Sequence, residues 1–310
     1  MKQFQPADFI RVVGLGRALR SSIVYTRDTI PESSGSIFSL FKSSNSVPFL
    51  RRAATGTIAS RKLRPTAVVS ARQLAGMLSW EIDVLQYISD GKEDAVEALA
   101  MLSDRVALAK GRAIFMRVAS ENVFIRDARR NGFFPSHHET VYERVSSATV
   151  SSLDETISMK LVTAEDAIAL FRLYCSSVPS EIRTHQGMTF ELWTSSAEPS
   201  KRTTKEWVSY RDGVARGWLR IFKRGMVGKL ELMVHPDDEL ELTRPLLDFG
   251  LSRLPDRRNM YVLVPEHQIL LARLVSQRGF KPRGDFLMLA KSLAVRERIE
   301  ETARFTAVSR

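Results

Sequence analysis

Three side chains of types that often bind transition metals stand next to one another in His137-His138-Glu139. They lie at the start of a stretch with the alternating pattern of a β-strand, HETVYERV at 138–145. Successive side chains of a strand point to opposite faces, so the two imidazoles would not converge on one ion. The single cysteine, Cys175, excludes an internal disulfide and a multi-thiolate metal site. We therefore predict no metal site.

Other familiar catalytic patterns are missing from the sequence. It contains no Ser-His-Asp order, no P-loop and no dinucleotide-binding fingerprint. The glycine-containing stretch GLGRAL at 14–19 lies inside a helical pattern and does not follow a strand, as a dinucleotide-binding loop would. Any catalytic residues of this protein must therefore lie outside these familiar motifs.

The chain is strongly basic, with 46 Lys and Arg against 35 Asp and Glu and a net charge of +11. Such a balance favours contact with polyanions, phosphate-bearing cofactors or acidic surfaces. Short basic clusters occur at 51–64 and 126–130, but no zinc-finger or RNP-type motif accompanies them. An anionic partner is one interpretation, and an arginine-rich solvated surface is the other.

Length and composition indicate a soluble globular protein of about two domains. The 310 residues include 44% hydrophobic and 26% charged residues. No apolar run approaches the roughly 20 residues of a membrane span. The start, MKQFQPADFIRVV, lacks the apolar core and cleavage site of a signal peptide. We therefore expect a cytoplasmic location and no membrane contact.

The same predicted helix ending occurs twice in the sequence, as Gly132-Phe133 and as Gly279-Phe280. Each has a proline two residues after the phenylalanine. Glycine takes the left-handed conformation of a helix C-terminus at little steric cost. Both predicted helices follow a buried strand, AIFMRV at 113–118 or MYVLV at 260–264. We expect positive φ at both glycines and both phenylalanines folded onto a core.

The elements before these endings repeat in the same order. Each half has predicted strands and an amphipathic helix before its buried strand, and we expect a last strand after the glycine to close the same half. In the first half these elements are strands at 65–71 and 76–88, a helix at 93–109 and a last strand at 138–145; in the second half they are strands at 213–223 and 228–234, a helix at 244–254 and a last strand at 285–293.

The chain therefore reads as a tandem duplication. We predict an N-terminal domain at 1–147, a linker at 148–156, a C-terminal domain at 157–295 and a charged tail at 296–310. Asp8 and Asp166 stand near the starts of corresponding predicted helices, where a carboxylate can cap the helix.

This order of elements, with its two Gly-Phe endings, resembles the GCN5-related N-acetyltransferase (GNAT) superfamily over nearly the whole chain. The resemblance implies an α+β (mixed α/β) fold of two tandem GNAT-like domains, each a mixed, mostly antiparallel sheet flanked by helices. It also implies that acetyl-CoA lies in a V-shaped split between two central strands of a domain. The acetyl group would pass directly to a substrate amine.

The resemblance places the CoA pyrophosphate at the start of the helix after the split, where backbone N–H groups face the anion. In the first half Gly91 and Lys92 stand at this place, and Asn122 lies near the family's conserved asparagine. We expect these three residues to bind the cofactor. Asp90 and Glu93 could instead form a capping box that uses the same backbone donors.

The corresponding loop of the second half suits an anion poorly. Asp237, Asp238, Glu239 and Glu241 precede or begin the helix, and Pro245 would remove a donor from its first turn. Carboxylates beside a pyrophosphate repel it. We therefore expect acetyl-CoA, if it binds, to bind the first half.

The transfer needs a base that accepts the proton of the amine. Glu81, Asp83 and Glu231 lie on the strands where the family often keeps such a carboxylate, and they are our catalytic candidates. Solvated carboxylates on a strand face are the alternative interpretation. The family's proton-donating tyrosine is replaced by Ala128 and Val275, neither of which can donate a proton.

Two functions are consistent with these residues. The first is an acetyl-CoA-dependent N-acetyltransferase with degenerate cofactor loops and an unidentified amine substrate. The second is a non-catalytic GNAT-like binding protein whose basic surface holds an anionic partner. Fold membership alone favours the first, and the missing site residues favour the second.

Overall fold

A computed structural model describes residues 2–3, 22–27, 29–30, 54–61, 64–145, 157–198, 203–254 and 259–293. The predicted cap Asp8, the linker and the charged tail lie outside these residues, so those predictions remain untested. None of the described helices is long and apolar enough to cross a membrane.

The first half contains seven strands and two helices in the described part of the chain. In chain order they are β1 (Lys2–Gln3), β2 (Val24–Tyr25), β3 (Ala54–Arg61), β4 (Arg64–Gln73), β5 (Ser79–Tyr87), α1 (Lys92–Leu108), β6 (Ala113–Ala119), α2 (Ile125–Arg130) and β7 (Phe134–Val145).

The second half repeats this plan with additional short helices near its start. Its elements are β8 (Lys160–Leu161), α3 (Ala167–Ser177), α4 (Ser180–His185), α5 (Phe190–Ser195), β9 (Thr204–Arg211), β10 (Val214–Arg224), β11 (Val227–Val234), α6 (Glu239–Ser252), β12 (Asn259–Pro265), α7 (Ile269–Gln277) and β13 (Lys281–Ser292).

All described strands belong to one mixed, mostly antiparallel sheet. Its order is β1-β3-β4-β5-β6-β13-β7-β12-β11-β10-β9-β8, and β2 pairs with β6 outside this path. In each half a run of antiparallel strands ends in one parallel pair, β5 with β6 or β11 with β12. The predicted fold class and the repeated order of elements are confirmed.

The last strands are exchanged between the halves. β7, which ends the first half, pairs with β12 of the second, while β13, which ends the second half, pairs with β6 of the first. The two exchanged strands also pair with each other at the centre of the sheet. Our expectation that each half is closed by its own last strand is therefore wrong, although the proposed domain boundaries remain a prediction.

Two apolar cores lie against the sheet, one under each long helix. Ala95, Leu99, Leu102 and Val106 form the predicted buried stripe of α1 and pack against the strands of the first half. Helices α6 and α7 cover the strands of the second half in the same way. Burying one leucine side chain fully contributes roughly 1.5–3 kcal/mol, so these stripes hold the helices in place.

Both Gly-Phe endings have the predicted geometry. Gly132 has φ of 81° and Gly279 has φ of 79°. The N–H groups of Phe133 and Phe280 donate to carbonyls in the last helical turn, and both aromatic rings are buried. Asp166 also acts at a helix start, because its carboxylate accepts the Thr163 N–H in a capping box.

Candidate functional site

Each parallel strand pair opens into a split, and the chain itself fills the first one. β5 and β6 pair only from Ser79–Glu81 and then diverge. The segment at 22–25 lies in the gap: the Ile23 N–H donates to the Leu85 carbonyl at 3.0 Å, and the Leu85 N–H donates to Ser22 Oγ at 3.3 Å. On its other side, β2 pairs with β6. Backbone groups that could face a ligand are therefore already bonded.

The second split has no such strand in the part of the chain that the structure describes. β11 and β12 pair from Val227–Leu230 and diverge beyond that point. A side chain of the described residues crosses the gap there: Gln268 Nε2 donates to the Leu232 carbonyl at 3.2 Å. In the part of the chain that the structure describes, the two halves are thus unequal: the first split is filled and the second is open.

A cavity of about 270 Å³ opens beside the second split, between the sheet and helices α3–α5. Both halves contribute to its wall because the exchanged strands lie at the centre of the sheet. Glu231, Met233 and Leu263 come from the diverging strands, and Phe115, Arg117 and Met288 come from β6 and β13. Tyr174, Ile182 and Trp193 close it from the helical side.

Buried ionic side chains from both halves form one network at the cavity. Arg72 contacts both Glu81 and Glu198, the latter at 2.7 Å. Arg117, which is 1% exposed, donates from Nε to Glu139 at 2.9 Å and lies 3.7 Å from Glu81. Buried charges are costly unless paired, and here each guanidinium meets two carboxylates.

The network shifts the pKa values of two of its carboxyl groups, Glu81 and Glu139, in opposite directions. Burial raises the pKa of Glu81, although Arg72 opposes it. Burial acts in the same direction on Glu139, but Arg117 and then His137 outweigh it and hold the pKa of Glu139 well below its usual range. Glu139 is therefore ionised at neutral pH.

His267 is a neutral imidazole at the edge of this cavity. Burial is the largest cause that lowers the pKa of His267 to about 4. Neither of its ring nitrogens, nor Oε1 of Gln268, has a hydrogen-bond partner within the described ranges. Sequence reasoning missed His267. Its place just after the carboxyl end of a parallel strand was a usable signal, because ligands of open α/β sheets collect there.

No protein-family model matches the sequence, and no curated protein matches it. Among solved structures, a GCN5-related N-acetyltransferase from Sphaerobacter thermophilus superposes with a TM-score of 0.53 at 15% identity, covering 94% of each chain. The chain has the GNAT fold. A conserved protein of unknown function from Staphylococcus epidermidis superposes with a TM-score of 0.50 at 11% identity, over 77% of this chain and 95% of that one.

Two of the carboxylates expected from the GNAT resemblance lie at the cavity. Glu81 and Glu231 both line it, and Arg27 lies 3.6 Å from Glu231. Asp83 does not line it and instead accepts a hydrogen bond from Ser70 Oγ at 2.5 Å. Glu81 is only 4% exposed, so the alternative of a solvated carboxylate is wrong for this residue.

The three residues that we expected to bind the cofactor in the first half contact other parts of the protein instead. Gly91 is buried, and a Cβ there would collide with the Thr66 carbonyl oxygen. Lys92 Nζ lies 2.5 Å from Asp127, and Asn122 Oδ1 accepts the Phe124 N–H at 2.9 Å. None of the three expected residues lines the cavity.

The first-half helix start also differs from the capping-box alternative. α1 begins at Lys92 with Gly91 as its N-cap, and no side chain caps it. The capping box predicted from Asp90 and Glu93 is therefore wrong. Together with the filled split, these contacts argue against a cofactor in the first half.

The acidic loop before α6 in the second half is neutralised by two arginines that we did not predict there. Arg216 lies 3.3 Å from Asp237 and 3.4 Å from Asp238, and Arg211 lies 2.5 Å from Asp238. The Asp237 and Asp238 N–H groups donate to His235, so they are not open to an anion.

Our placement of the second-half helix start is wrong. α6 begins at Glu239, and Pro245 lies inside it instead of in its first turn. Glu239 and Glu241 lie in its first turn, where carboxylates interact favourably with the positive end of the helix.

Proposed function

We propose that this protein is an N-acyltransferase that uses acetyl-CoA and acts at one site, the second split and its cavity. The observation that carries the proposal is the 270 Å³ cavity that opens where β11 and β12 diverge. The GNAT fold supports acyl transfer only in general terms. The occupied first split supports the restriction to one site, which reverses our expectation from the sequence.

Acetyl-CoA would supply an activated acyl thioester. Glu231, on the diverging strand, would attract the ammonium form of the acceptor into the cavity. As the amine nitrogen bonds to the acyl carbon and the bond from that carbon to sulfur breaks, His267 would accept a proton from the amine and pass it to the leaving thiolate; neither of its ring nitrogens has a hydrogen-bond partner among the described residues. Apolar neighbours such as Met233 and Trp193 would exclude water from the reacting groups.

The residues present fit the acyl end of acetyl-CoA better than its pyrophosphate end. The open split and the unpartnered Gln268 Oε1 leave room and a polar group for the acyl end. At the loop, the N–H groups of Asp237 and Asp238 are already bonded. Arg211 and Arg216, which already pair with that loop, would be its cations for the phosphates.

Calorimetric titration of the full chain with acetyl-CoA tests this proposal. We expect one binding site per chain. Met233→Trp should fill the cavity and abolish binding, whereas Met226→Trp, at an exposed position in the same half, should not. Two sites per chain, or unchanged binding in the Met233 variant, would refute the assignment of the site.

Turnover with a panel of amines tests the proposed roles of the two side chains. Removing a positioned general base typically slows a reaction by about 10²–10⁴-fold. His267→Asn should therefore lower kcat while leaving acetyl-CoA affinity in place. Glu231→Gln should mainly raise KM for the amine, because it removes the charge that attracts the ammonium.

A binding function without catalysis is the second candidate. It is favoured by the bonded N–H groups of the second loop and by the absence of a proton donor at Ala128 and Val275. A groove formed by Arg126, Arg129, Arg130 and the exposed Phe134 would be its anion-binding surface. Salt-dependent binding of an oligonucleotide, combined with no binding of acetyl-CoA, would favour this candidate.

A further inference from the structure

A serine, a histidine and a glutamate form a hydrogen-bonded series on β7. Ser136 Oγ lies 2.9 Å from His137 Nδ1, and His137 Nε2 lies 3.1 Å from Glu139 Oε1. His137 and Glu139 are two residues apart on the strand and both line the cavity. The proposed amine acylation does not use this series.

A β-bulge brings the serine to the histidine. Along β7 and β13 the register shifts between the pairs Met288–His137 and Leu289–Pro135, which leaves Ser136 as the extra residue. Successive side chains of a regular strand point to opposite faces, whereas a bulge turns the extra side chain out of this alternation. The bulge therefore explains why neighbouring residues can bond through their side chains.

The partners of these groups determine where the protons lie. Glu139 is ionised and can only accept, and it also accepts from Arg117 Nε at 2.9 Å. His137 Nε2 must therefore carry a hydrogen. In the neutral imidazole Nδ1 is then an acceptor, so the hydrogen between Ser136 and His137 belongs to the hydroxyl.

The side-chain amide of Gln186 fixes the remaining hydrogen bond of the Ser136 hydroxyl. Its Oε1 accepts from the Tyr174 hydroxyl at 3.1 Å, and its Nε2 donates to Ser136 Oγ at 2.7 Å. The serine oxygen thus accepts one hydrogen bond and donates its own hydrogen to an imidazole, which a buried carboxylate orients. A nucleophilic hydroxyl needs this arrangement of base and orienting group.

We propose that Ser136 is a nucleophile that accepts an acyl group from an activated carboxylic ester or thioester. Its Oγ forms a bond to the carbonyl carbon while its proton passes to His137 Nδ1. The bond from carbon to the leaving oxygen or sulfur breaks, and the leaving group takes that proton. Water, or an amine in the cavity, then attacks the ester, releases the acyl group and returns the proton to Ser136.

The surroundings suit a small acyl group. Ser136 is half-buried and does not itself line the cavity, but His137, Glu139 and Gln186, which contact it or its histidine, line it together with Phe115 and Met288. These apolar side chains favour a short alkyl or aryl chain. The inference does not depend on the proposed function, because a simple activated ester requires no CoA site.

Acylation by p-nitrophenyl acetate tests the inference directly. The full chain should release p-nitrophenol in a burst of about one equivalent per chain, and intact-mass measurement after acid quench should show the gain of one acetyl group. Peptide mapping should locate the group on Ser136. A fluorophosphonate probe should label the same residue.

The chain contains a matched control serine. Ser120 Oγ also lies near a histidine, 3.3 Å from His138 Nδ1, but the described residues place no carboxylate on the other ring nitrogen of His138. Ser136→Ala should abolish the burst and the labelling, and Ser120→Ala should change neither. Labelling that persists in Ser136→Ala, or a wild-type chain that gives no burst, would overturn the inference.

The role of Glu139 as a positioning residue is tested by the rate of labelling. Glu139→Gln should slow it by on the order of 10²-fold, because the imidazole loses the group that orients it, and Glu139→Asp should recover part of the rate. Near-ultraviolet circular dichroism checks that each variant is folded. If acetyl-CoA binding and amine acylation persist while Ser136 is never acylated, this inference fails and the proposed function remains.

Discussion

Replacing Arg117 with methionine tests whether the buried ionic network holds the two halves together. Arg117 lies on β6 of the first half, while its partner Glu139 lies on β7, the strand that joins the sheet of the second half. Methionine has similar length and fills the space, so the main loss is the charge. Glu139 and Glu81 then remain buried without that guanidinium.

The expected loss of unfolding free energy is about 3–5 kcal/mol, the usual effect of removing one partner of a buried ion pair. At an effective dielectric constant of about 20, the contact at 2.9 Å corresponds to about 6 kcal/mol of Coulomb energy and the contact at 3.7 Å to about 4.5 kcal/mol. Desolvation offsets part of that energy. The double variant Arg117→Met/Glu139→Gln should lose less than the sum of the single variants, because the stranded carboxylate is gone.

The pH dependence should reverse in sign between the wild type and this variant. In the wild type the pKa of Glu139 lies below its unfolded value, so its contribution is present above about pH 4 and is lost as pH falls further. Without Arg117, burial should raise the pKa of Glu139 above its unfolded value. The variant should then regain stability relative to wild type as pH falls from neutral towards about 5.

Urea denaturation followed by far-ultraviolet circular dichroism, at several pH values, measures both effects. Arg130→Met is the control, because the Arg130 side chain is 73% exposed and its contact with Asp127 is 3.6 Å. It should change stability by less than about 1 kcal/mol. A loss for Arg117→Met as small as the control, or strictly additive losses in the double variant, would refute the reasoning.

Three further predictions concern single residues. Gly279→Val should lower the unfolding free energy by roughly 1–3 kcal/mol because φ of 79° is strained for a β-branched residue, and an unchanged urea midpoint would contradict this. Lys92→Glu should leave acetyl-CoA affinity unchanged in calorimetry, since the first split is filled by residues 22–25; a large loss would restore our original choice of the first half. NMR titration should find the pKa of His267 near 4, so the stability from its neutral form falls as pH drops from about 6.5 towards 4, and a normal pKa would show that its imidazole is not buried.

The sequence predicts local structure well where a residue's role depends on its neighbours. Gly132 and Gly279 were recognisable because a helix ending that needs positive φ is marked by residues only a few positions apart in the sequence. The buried stripe of α1 was recognisable from helical periodicity.

The exchange of last strands was not predictable from the same signals. The stretches at 138–145 and 285–293 have the alternating pattern of a strand whichever β-strand they pair with, because a pattern of period two reports the buried face and not the partner. β2 is only two residues long, so no periodicity marks the segment that fills the first split.

The candidate site was only partly predictable because its parts are distant in sequence. Glu81 and Glu231 were found from their strand positions, but charged residues such as Arg72 and Arg117 are usually solvated and gave no sign of burial. We also considered His137 only with His138 as a metal ligand. Glu139 lies two residues from His137 on the same strand face, and this spacing indicates a histidine that a carboxylate orients as a base.

The strand exchange gives this chain the architecture of an exchanged dimer whose two subunits have become one polypeptide. In a homodimer one gene specifies both subunits, so every substitution appears in both sites and their symmetry persists. Here each copy is encoded separately, and a change in one leaves the other untouched. One copy can therefore occupy its split with its own backbone while the other keeps an open cavity, to which the first copy still contributes Arg117 and His137.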